Sequence, residues 1–192
     1  MRARQDAVEQ TRQRITEATM HLHERVGPAA TTVSAIATEA GVTRLTVYRH
    51  FPDDETLFAA CSAHWTSLHP RPDTSRWAEI ADPEQRLRAA LAETYTWART
   101  AAPMMTKIHR DVDAMPAFVR ESLARDEQAR VAVLAAPFRA DGPGSRRLEA
   151  VLVHALHVWT WEALCVAGGL TDEDAIDVMT AAVLAVTSGN MP

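Results

Sequence analysis

The chain has 192 residues, 47% of them apolar, with 20 basic and 25 acidic side chains and a formal net charge of −5. That length suits one sizeable core or a small domain joined to a larger one, and the negative balance excludes a generic polyanion binder. Two cysteines, Cys61 and Cys165, exclude a disulfide framework and fit a reduced cytoplasm, with a redox switch as the alternative. Residues 1–5 read as a mobile arm. Arg2 and Arg4 there suit a minor groove, as short basic arms do, or form a plain polar terminus. A first helix is expected over 6–26, with Val8, Ile15, Ala18, Leu22 and Val26 as its inner stripe. Gly27-Pro28 stops it. No apolar run marks a signal peptide or a membrane span; even 151–170 is interrupted by His154, His157 and Glu162.

The stretch 31–57, TTVSAIATEAGVTRLTVYRHFPDDETL, carries the most information. It predicts a short helix over 33–40, capped by Thr31 or Thr32, with Val33, Ile36, Ala37 and Ala40 on one face. Gly41 supplies the positive φ of a tight turn. Thr43 caps a second helix, and Val42 and Val47 flank that cap as a hydrophobic staple. Val47 and Phe51 form the inner edge, which leaves Arg44, Leu45, Thr46, Tyr48, Arg49 and His50 outside. This is the plan of a helix-turn-helix. Arg44 suits guanine, Thr46 a base edge or phosphate, and Leu45 a thymine methyl. Tyr48, Arg49 and His50 suit phosphates. A solvated face on an ordinary helical hairpin is the alternative. The charge pattern agrees with a focused footprint: residues 1–60 hold seven Arg against eight acids, yet Arg2, Arg4, Arg12, Arg14, Arg44 and Arg49 concentrate near the terminus and this helix.

The string IATEAGVTRLTVYRHFPDDETLF resembles the signature of the TetR (tetracycline-repressor-like) family at Thr32, Ile36, Ala37, Ala40, Gly41, Val42, Thr46, Val47, Tyr48, His50, Phe51 and Leu57. The resemblance covers about a quarter of the chain. It implies a transcriptional regulator, more readily a repressor than an activator, that binds a palindromic double-stranded DNA operator as a homodimer and leaves it when a small-molecule effector binds. It implies base reading by Thr43, Arg44, Leu45 and Thr46, and phosphate contacts from Thr32, Tyr48, Arg49 and His50. One departure stands out. Where the family carries a lysine after the motif, this chain has Asp53, Asp54 and Glu55, which suit a helix N-terminus and not a phosphate.

A helix from Asp53 to about Trp65 or Leu68 follows, with Leu57, Phe58, Cys61 and Trp65 on one face; in the family this helix links head to body. The loop 69–73 is a boundary. The division expected is a helix-turn-helix domain over 1–52 and a helical effector-binding and dimerisation domain over 53–192, all-α throughout. Pro83 starts a helix to about Ala101, with Leu87, Leu91, Tyr95 and Ala98 inward. Pro103 interrupts it, and 104–113 forms a short helix or turn. Pro116 opens a helix to about Ala136, anchored by Phe118, Leu123, Ala129, Val133 and Leu134. The stretch 140–144 reads as a loop. The segment 145–168 reads as one long helix, apolar nearly all round and so buried on more than one side. Thr171 caps the last helix, whose first turn is acidic.

The last two helices are the dimerisation candidates, through Val151, Leu152, Ala155, Val158, Ile176, Met179, Val183 and Val186; paired final helices are also what the family resemblance implies. Tyr95, Trp97, Met104, Met105, His109, Phe118, Trp159, Trp161 and Cys165 are candidates for an apolar effector pocket, although such residues at helical spacing also make ordinary core. Few charges accompany them, so the effector expected is largely apolar and neutral or singly charged. His154 and His157, at i and i+3, can face one point as satisfied histidines, and would then make assembly or effector binding sensitive near pH 6 to 7. No metal, cofactor or membrane association is expected. No nucleophile elbow, phosphate-binding glycine loop or zinc signature supports an enzyme. A helical protein-interaction adaptor would explain the body, but not the surface from Thr43 to His50.

Overall fold

A computed structural model describes residues 2–138 and 143–187. Ten α-helices run in order: α1 Arg2–Arg25, α2 Val33–Glu39, α3 Arg44–His50, α4 Asp54–Leu68, α5 Thr74–Ala78, α6 Pro83–Arg110, α7 Ala117–Ala135, α8 Pro143–Leu156, α9 Val158–Trp161 and α10 Asp172–Thr187, with no strand among the described residues. The all-α expectation holds. Among the described residues no single helix is long and apolar enough to cross a membrane; the pair Gly144–Leu156 and Val158–Ala167 reaches that length only across a 63° bend.

The chain divides into two compact units, residues 1–70 with 103–120, and residues 71–102 with 121–192. This differs from the boundary expected after residue 52. Leu57 of α4 belongs to the same buried cluster as Ile15, Ala18 and Leu22 of α1, Ile36 and Ala37 of α2, and Val47 of α3. The apolar face of α4 is thus needed to complete the core of the head.

In the first unit α1 starts at Arg2, so residues 2–5, expected in a mobile arm, are helical. Arg4 is exposed; the side chain of Arg2 lies outside what is described. The inner stripe of α1 is narrower than its sequence suggests. Val8 and Val26 are exposed, while Thr19, Met20 and His23 join Ile15, Ala18 and Leu22 inside. Thr19 is accommodated because its hydroxyl donates to the Ile15 carbonyl at 2.8 Å.

In the second unit Leu87, Leu91, Tyr95 and Ala98 of α6 are fully inward, as their spacing predicts. Pro103 does not end this helix, which continues to Arg110. A proline removes one backbone donor and clashes one turn back, but a long helix packed on both sides of the site can absorb that cost. On α7 the buried anchors are Val119, Val131 and Leu134, whereas Ala129 is exposed and Phe118, Leu123 and Val133 are half-buried. Arg86 knits the unit by donating to the carbonyls of Ile80 at 2.8 Å, Ala78 at 3.1 Å and Val133 at 3.1 Å.

The expected single helix over 145–168 is broken. His157 has extended backbone (φ −79, ψ 139) and its Nδ1 accepts from the Trp159 backbone N–H, so it caps a new helix. The Thr160 hydroxyl donates to the His154 carbonyl at 2.5 Å, satisfying an acceptor freed by the break. After α9 the backbone widens to a π-helical turn over Glu162–Ala167 and ends at Gly169, whose φ is 69. Of the expected loop over 140–144, residues 140–142 lie outside the described residues, and α8 begins at Pro143. α8 and α10 pack on each other. Thr171 accepts from the Asp174 N–H at 3.1 Å, capping α10 as predicted.

Candidate nucleic-acid interface

The turn between α2 and α3 is built by local chemistry. Thr32 caps α2, accepting from the Ala35 N–H at 3.2 Å. Thr31 instead donates its hydroxyl to the Gly27 carbonyl at 2.8 Å, which decides between the two candidate caps. At the other end the Val42 N–H reaches the Ala37 carbonyl at 2.9 Å and the Gly41 N–H reaches Thr38 at 3.2 Å. That paired closure requires a left-handed residue between, and Gly41 with φ 65 supplies it. Thr43 then caps α3, accepting from the Thr46 N–H at 3.2 Å, and its hydroxyl also lies 3.0 Å from that of Thr46. Two of the four base-reading candidates are therefore engaged with each other before any ligand arrives.

The inward side of α3 is dry and its outward side is open. Val47 is 1% exposed and Leu45 is 77% exposed. Arg44, Leu45, Tyr48 and Arg49 all stand in solvent, with Thr46 and His50 half-buried beside them. An isolated leucine in water is ordinary. A leucine flanked by arginine, threonine and tyrosine on one capped helix is a surface equipped to meet base edges and phosphates.

One residue of this construction was not legible in the local pattern. Arg12 of α1 donates from Nη1 to the His50 carbonyl at 2.8 Å, and its guanidinium lies 4.2 Å from the centre of the Phe51 ring. It holds the C-terminal end of α3 by satisfying a terminal carbonyl and by a cation–π contact. Counted with the basic residues of the terminus, Arg12 looked like part of a charge footprint; its partner lies 38 residues away, beyond any local spacing rule. The His50 imidazole is pushed below its ordinary range by burial first, then by Arg49 and Arg12.

The acidic stretch after α3 has a structural role. Asp53 caps α4, its carboxylate accepting the Thr56 N–H at 2.7 Å. That backbone bond, and then the Thr56 side chain, hold its carboxyl below the usual carboxylate range. Cys61, about two turns along, is buried against His23 (Sγ to Nδ1, 3.7 Å), and burial pushes its thiol up to about 12. A thiol so far from ionising is inert, which removes Cys61 as a redox switch.

The effector candidates are divided between the two units. Met104, Met105, His109 and Phe118 lie in the first unit, the methionines buried and the other two half-buried. Tyr95, Trp97, Trp159, Trp161 and Cys165 lie in the second. Tyr95 is core: it is fully buried and its hydroxyl donates to the Ala155 carbonyl at 3.1 Å. Trp161 is buried too, its Nε1 donating to Asp172 at 3.2 Å, and the same carboxylate binds Arg99 at 2.8 and 3.0 Å. Trp159 alone of these nine lines the groove at the helix break, a mainly apolar recess of about 420 Å³ walled by Ala150, Val153, His154, His157, Trp159, Thr160, Ala163, Leu164 and Met179. The break that makes the groove is why the periodic pattern did not reveal it.

The same packing corrects the dimerisation set. Leu152, Ala155, Met179 and Val183 are buried within the chain's own second unit, where α8 and α10 pack on each other, and Val158 of α9 is buried beside them. Val151, Ile176 and Val186 remain half-buried, and Val166 and Val178 are exposed. His154 and His157 do not stand together as helical neighbours either. His154 is exposed, and His157 ends in the cap described above, its imidazole pushed below its ordinary range by burial first.

The head, with its capped second helix, turn and braced third helix, is of the helix-turn-helix class. Residues 15–61 match the model of bacterial regulatory proteins of the tetR family. The similarity to that family is thus shown for the helix-turn-helix head. A curated relative, the HTH-type transcriptional regulator BetI of Paraburkholderia phytofirmans, is 30% identical over 99 residues, 49% of this chain and 49% of the relative. The matched part thus spans about half the length of that relative. Among solved structures, a TetR-like transcriptional regulator from Rhodococcus sp. RHA1 superposes with a TM-score of 0.63 at 19% identity, covering 94% of this chain and 97% of that one. AibR in complex with isovaleryl coenzyme A and operator DNA does so with a TM-score of 0.64 at 22% identity, covering 90% and 97%. At such identities these structures speak to the fold alone.

Proposed function

We propose that this protein is a transcriptional repressor of the tetR family that binds a palindromic operator as a homodimer and is released by a small, largely apolar effector. The observation that carries the reading is the two-sided character of α3. Its inner edge is locked by Val47, Phe51 and Arg12, while Arg44, Leu45, Tyr48 and Arg49 are held outward on a rigid, capped helix. Arg44, Leu45 and Thr46 read bases, with Thr43 as a further reader once its bond to Thr46 opens. Thr32, Tyr48, Arg49 and His50 hold phosphates. The half-buried and exposed residues Val151, Ile176, Val178 and Val186 are the dimer face that packing within the chain leaves available. The effector lies in the second unit at the groove beside Trp159. Two heads must match the spacing of successive major grooves, so a small change in their separation removes much affinity.

The test is selection of bound fragments from a random DNA library at fixed salt, followed by sequencing. An inverted repeat is the expected product. Against it, Arg44→Ala should relax base preference and cost about 1–3 kcal/mol, while Arg49→Ala weakens all sequences evenly and lowers the salt slope by about one. A folded dimer that enriches no sequence would overturn the reading.

A further inference from the structure

Thr43 is exposed and Thr46 half-buried on the α3 surface. Their Oγ1 atoms lie 3.0 Å apart, and the Thr43 oxygen also accepts the Thr46 backbone N–H at 3.2 Å. A hydroxyl has one proton to donate and two lone pairs. The bond between the two oxygens consumes one of their two protons, whichever residue gives it. If Thr46 donates, both lone pairs of Thr43 are taken, one by that proton and one by the backbone N–H. Thr43 then offers a donor alone, and Thr46 acceptors alone. If Thr43 donates, Thr46 holds the remaining proton and Thr43 keeps one open lone pair. Either way the pair presents one donor on one oxygen and an acceptor on the other. Thr43 reads on its own only after the bond opens; while it holds, the two oxygens are one unit.

Base edges in the major groove sort against that unit. Guanine shows two neighbouring acceptors, N7 and O6, so one of them would face a lone pair. Adenine shows the acceptor N7 beside the N6 amino donor and satisfies both oxygens. Cytosine offers a donor alone and thymine an acceptor alone. Guanine O6 with cytosine N4 across a G·C pair would also match, and Leu45 separates the two cases. It follows Arg44 between the two threonines and is 77% exposed, and an apolar side chain there suits the thymine methyl, which a G·C pair lacks. We propose that Thr43 and Thr46, bonded to each other, read adenine in an A·T pair of each operator half-site and discriminate against guanine. The inference deepens the regulator reading above and rests on it.

The test repeats the library selection at fixed salt with the full chain, with Thr46→Val and with Thr46→Ser. Valine keeps the side-chain shape and the Thr43 cap and removes one hydroxyl; serine keeps the hydroxyl. In each half of the repeat Thr46→Val should relax one position, which should be adenine in the selection by the unchanged chain, and Thr46→Ser should keep that preference. On the selected fragment the adenine is then replaced by guanine, by 7-deazaadenine, which lacks the N7 acceptor, or by purine, which lacks the N6 amino group. Each replacement should weaken binding of the unchanged chain about tenfold, and the loss should shrink in Thr46→Val. If Thr46→Val loses its helical circular dichroism, the unchanged chain on the three replaced fragments decides. A G·C pair at the position that Thr46→Val relaxes, no position relaxed by a folded Thr46→Val, or an unchanged chain indifferent to 7-deazaadenine and purine overturns the inference and leaves the regulator reading standing. A folded chain that enriches no sequence overturns both.

Discussion

Gly27, between α1 and the 3-10 turn that leads into the helix-turn-helix, is the point where one methyl group should cost most. Its backbone sits at φ 93 and ψ 161, in a region close to exclusive to glycine, where another residue costs about 1–3 kcal/mol. A Cβ there would also overlap Arg110 Nη2 and Asp111 Oδ2. The Arg110 side chain is long and half-exposed and can swing away, giving up its bond to the Val26 carbonyl at 2.8 Å. Asp111 cannot move so freely. Its side chain is 8% exposed, and its Oδ2 accepts the Ala29 N–H at 3.1 Å. Losing a hydrogen bond to a charged group costs about 1.5–3 kcal/mol. Gly27→Ala should therefore destabilise the first unit by roughly 3 kcal/mol or somewhat more, a large part of a typical domain stability. Urea denaturation and amide exchange over residues 26–32 read it out. In an Asp111→Ala background the overlap with the carboxylate is gone, and Gly27→Ala should cost only the backbone part, about 1–3 kcal/mol. Equal costs in both backgrounds, or a loss under about 0.5 kcal/mol in the native one, the range of ordinary surface changes, would refute the reasoning.

Three further expectations follow from named groups. His23 is buried, and burial lowers its imidazole from 6.5 to about 4. Its folded value lies below its unfolded one, so between these values the unfolded chain binds the proton more readily and stability falls with pH, by about 2 kcal/mol at pH 5 relative to pH 7.5. Urea midpoints at the two pH values measure it, and a His23→Leu chain with an unchanged slope would assign the effect elsewhere. Asp53→Asn should keep the α4 cap, because an amide oxygen still accepts the Thr56 N–H, and should raise DNA affinity by removing a charge near the phosphates; Asp53→Ala should lose about 1 kcal/mol of stability. Fluorescence anisotropy on a selected fragment and thermal melts separate the two, and a weaker complex with Asp53→Asn would show that the carboxylate helps binding. Tyr95→Phe should cost about 1 kcal/mol with no change in DNA binding, since its hydroxyl bonds only to the Ala155 carbonyl among the described residues; altered DNA affinity would place Tyr95 on the route from effector to head.

The helix-turn-helix was legible because its code is local. Thr32 and Thr43 cap by bonding three residues ahead, Gly41 answers a backbone demand at its own position, and Val47 and Phe51 share a face by helical period alone. The same holds for the inner stripe of α6, from Leu87 to Ala98. The choice between Thr31 and Thr32 was open in sequence, since both stand at a plausible distance, and was settled by where the Gly27 carbonyl lay. Arg12 and Asp111 acquired their roles from partners 38 and 82 residues away, and no spacing rule reaches that far. Composition made 145–168 one apolar helix, whereas His157 caps against its own chain and divides it. An apolar surface in sequence says that something will cover it and is silent on what. Leu152, Ala155 and Val183 suited a dimer seam equally well until α8 and α10 covered each other. Arg71 and Arg130 were separate charges until the fold brought both to one turn of α7. The sequence by itself determined the helix-turn-helix, the caps at Thr43 and Thr171 and the outward face of α3, because those are set by neighbours in the chain. Only the tertiary structure decided which surfaces remained open and which charges met, because burial and long-range electrostatics depend on residues that the chain brings together from a distance.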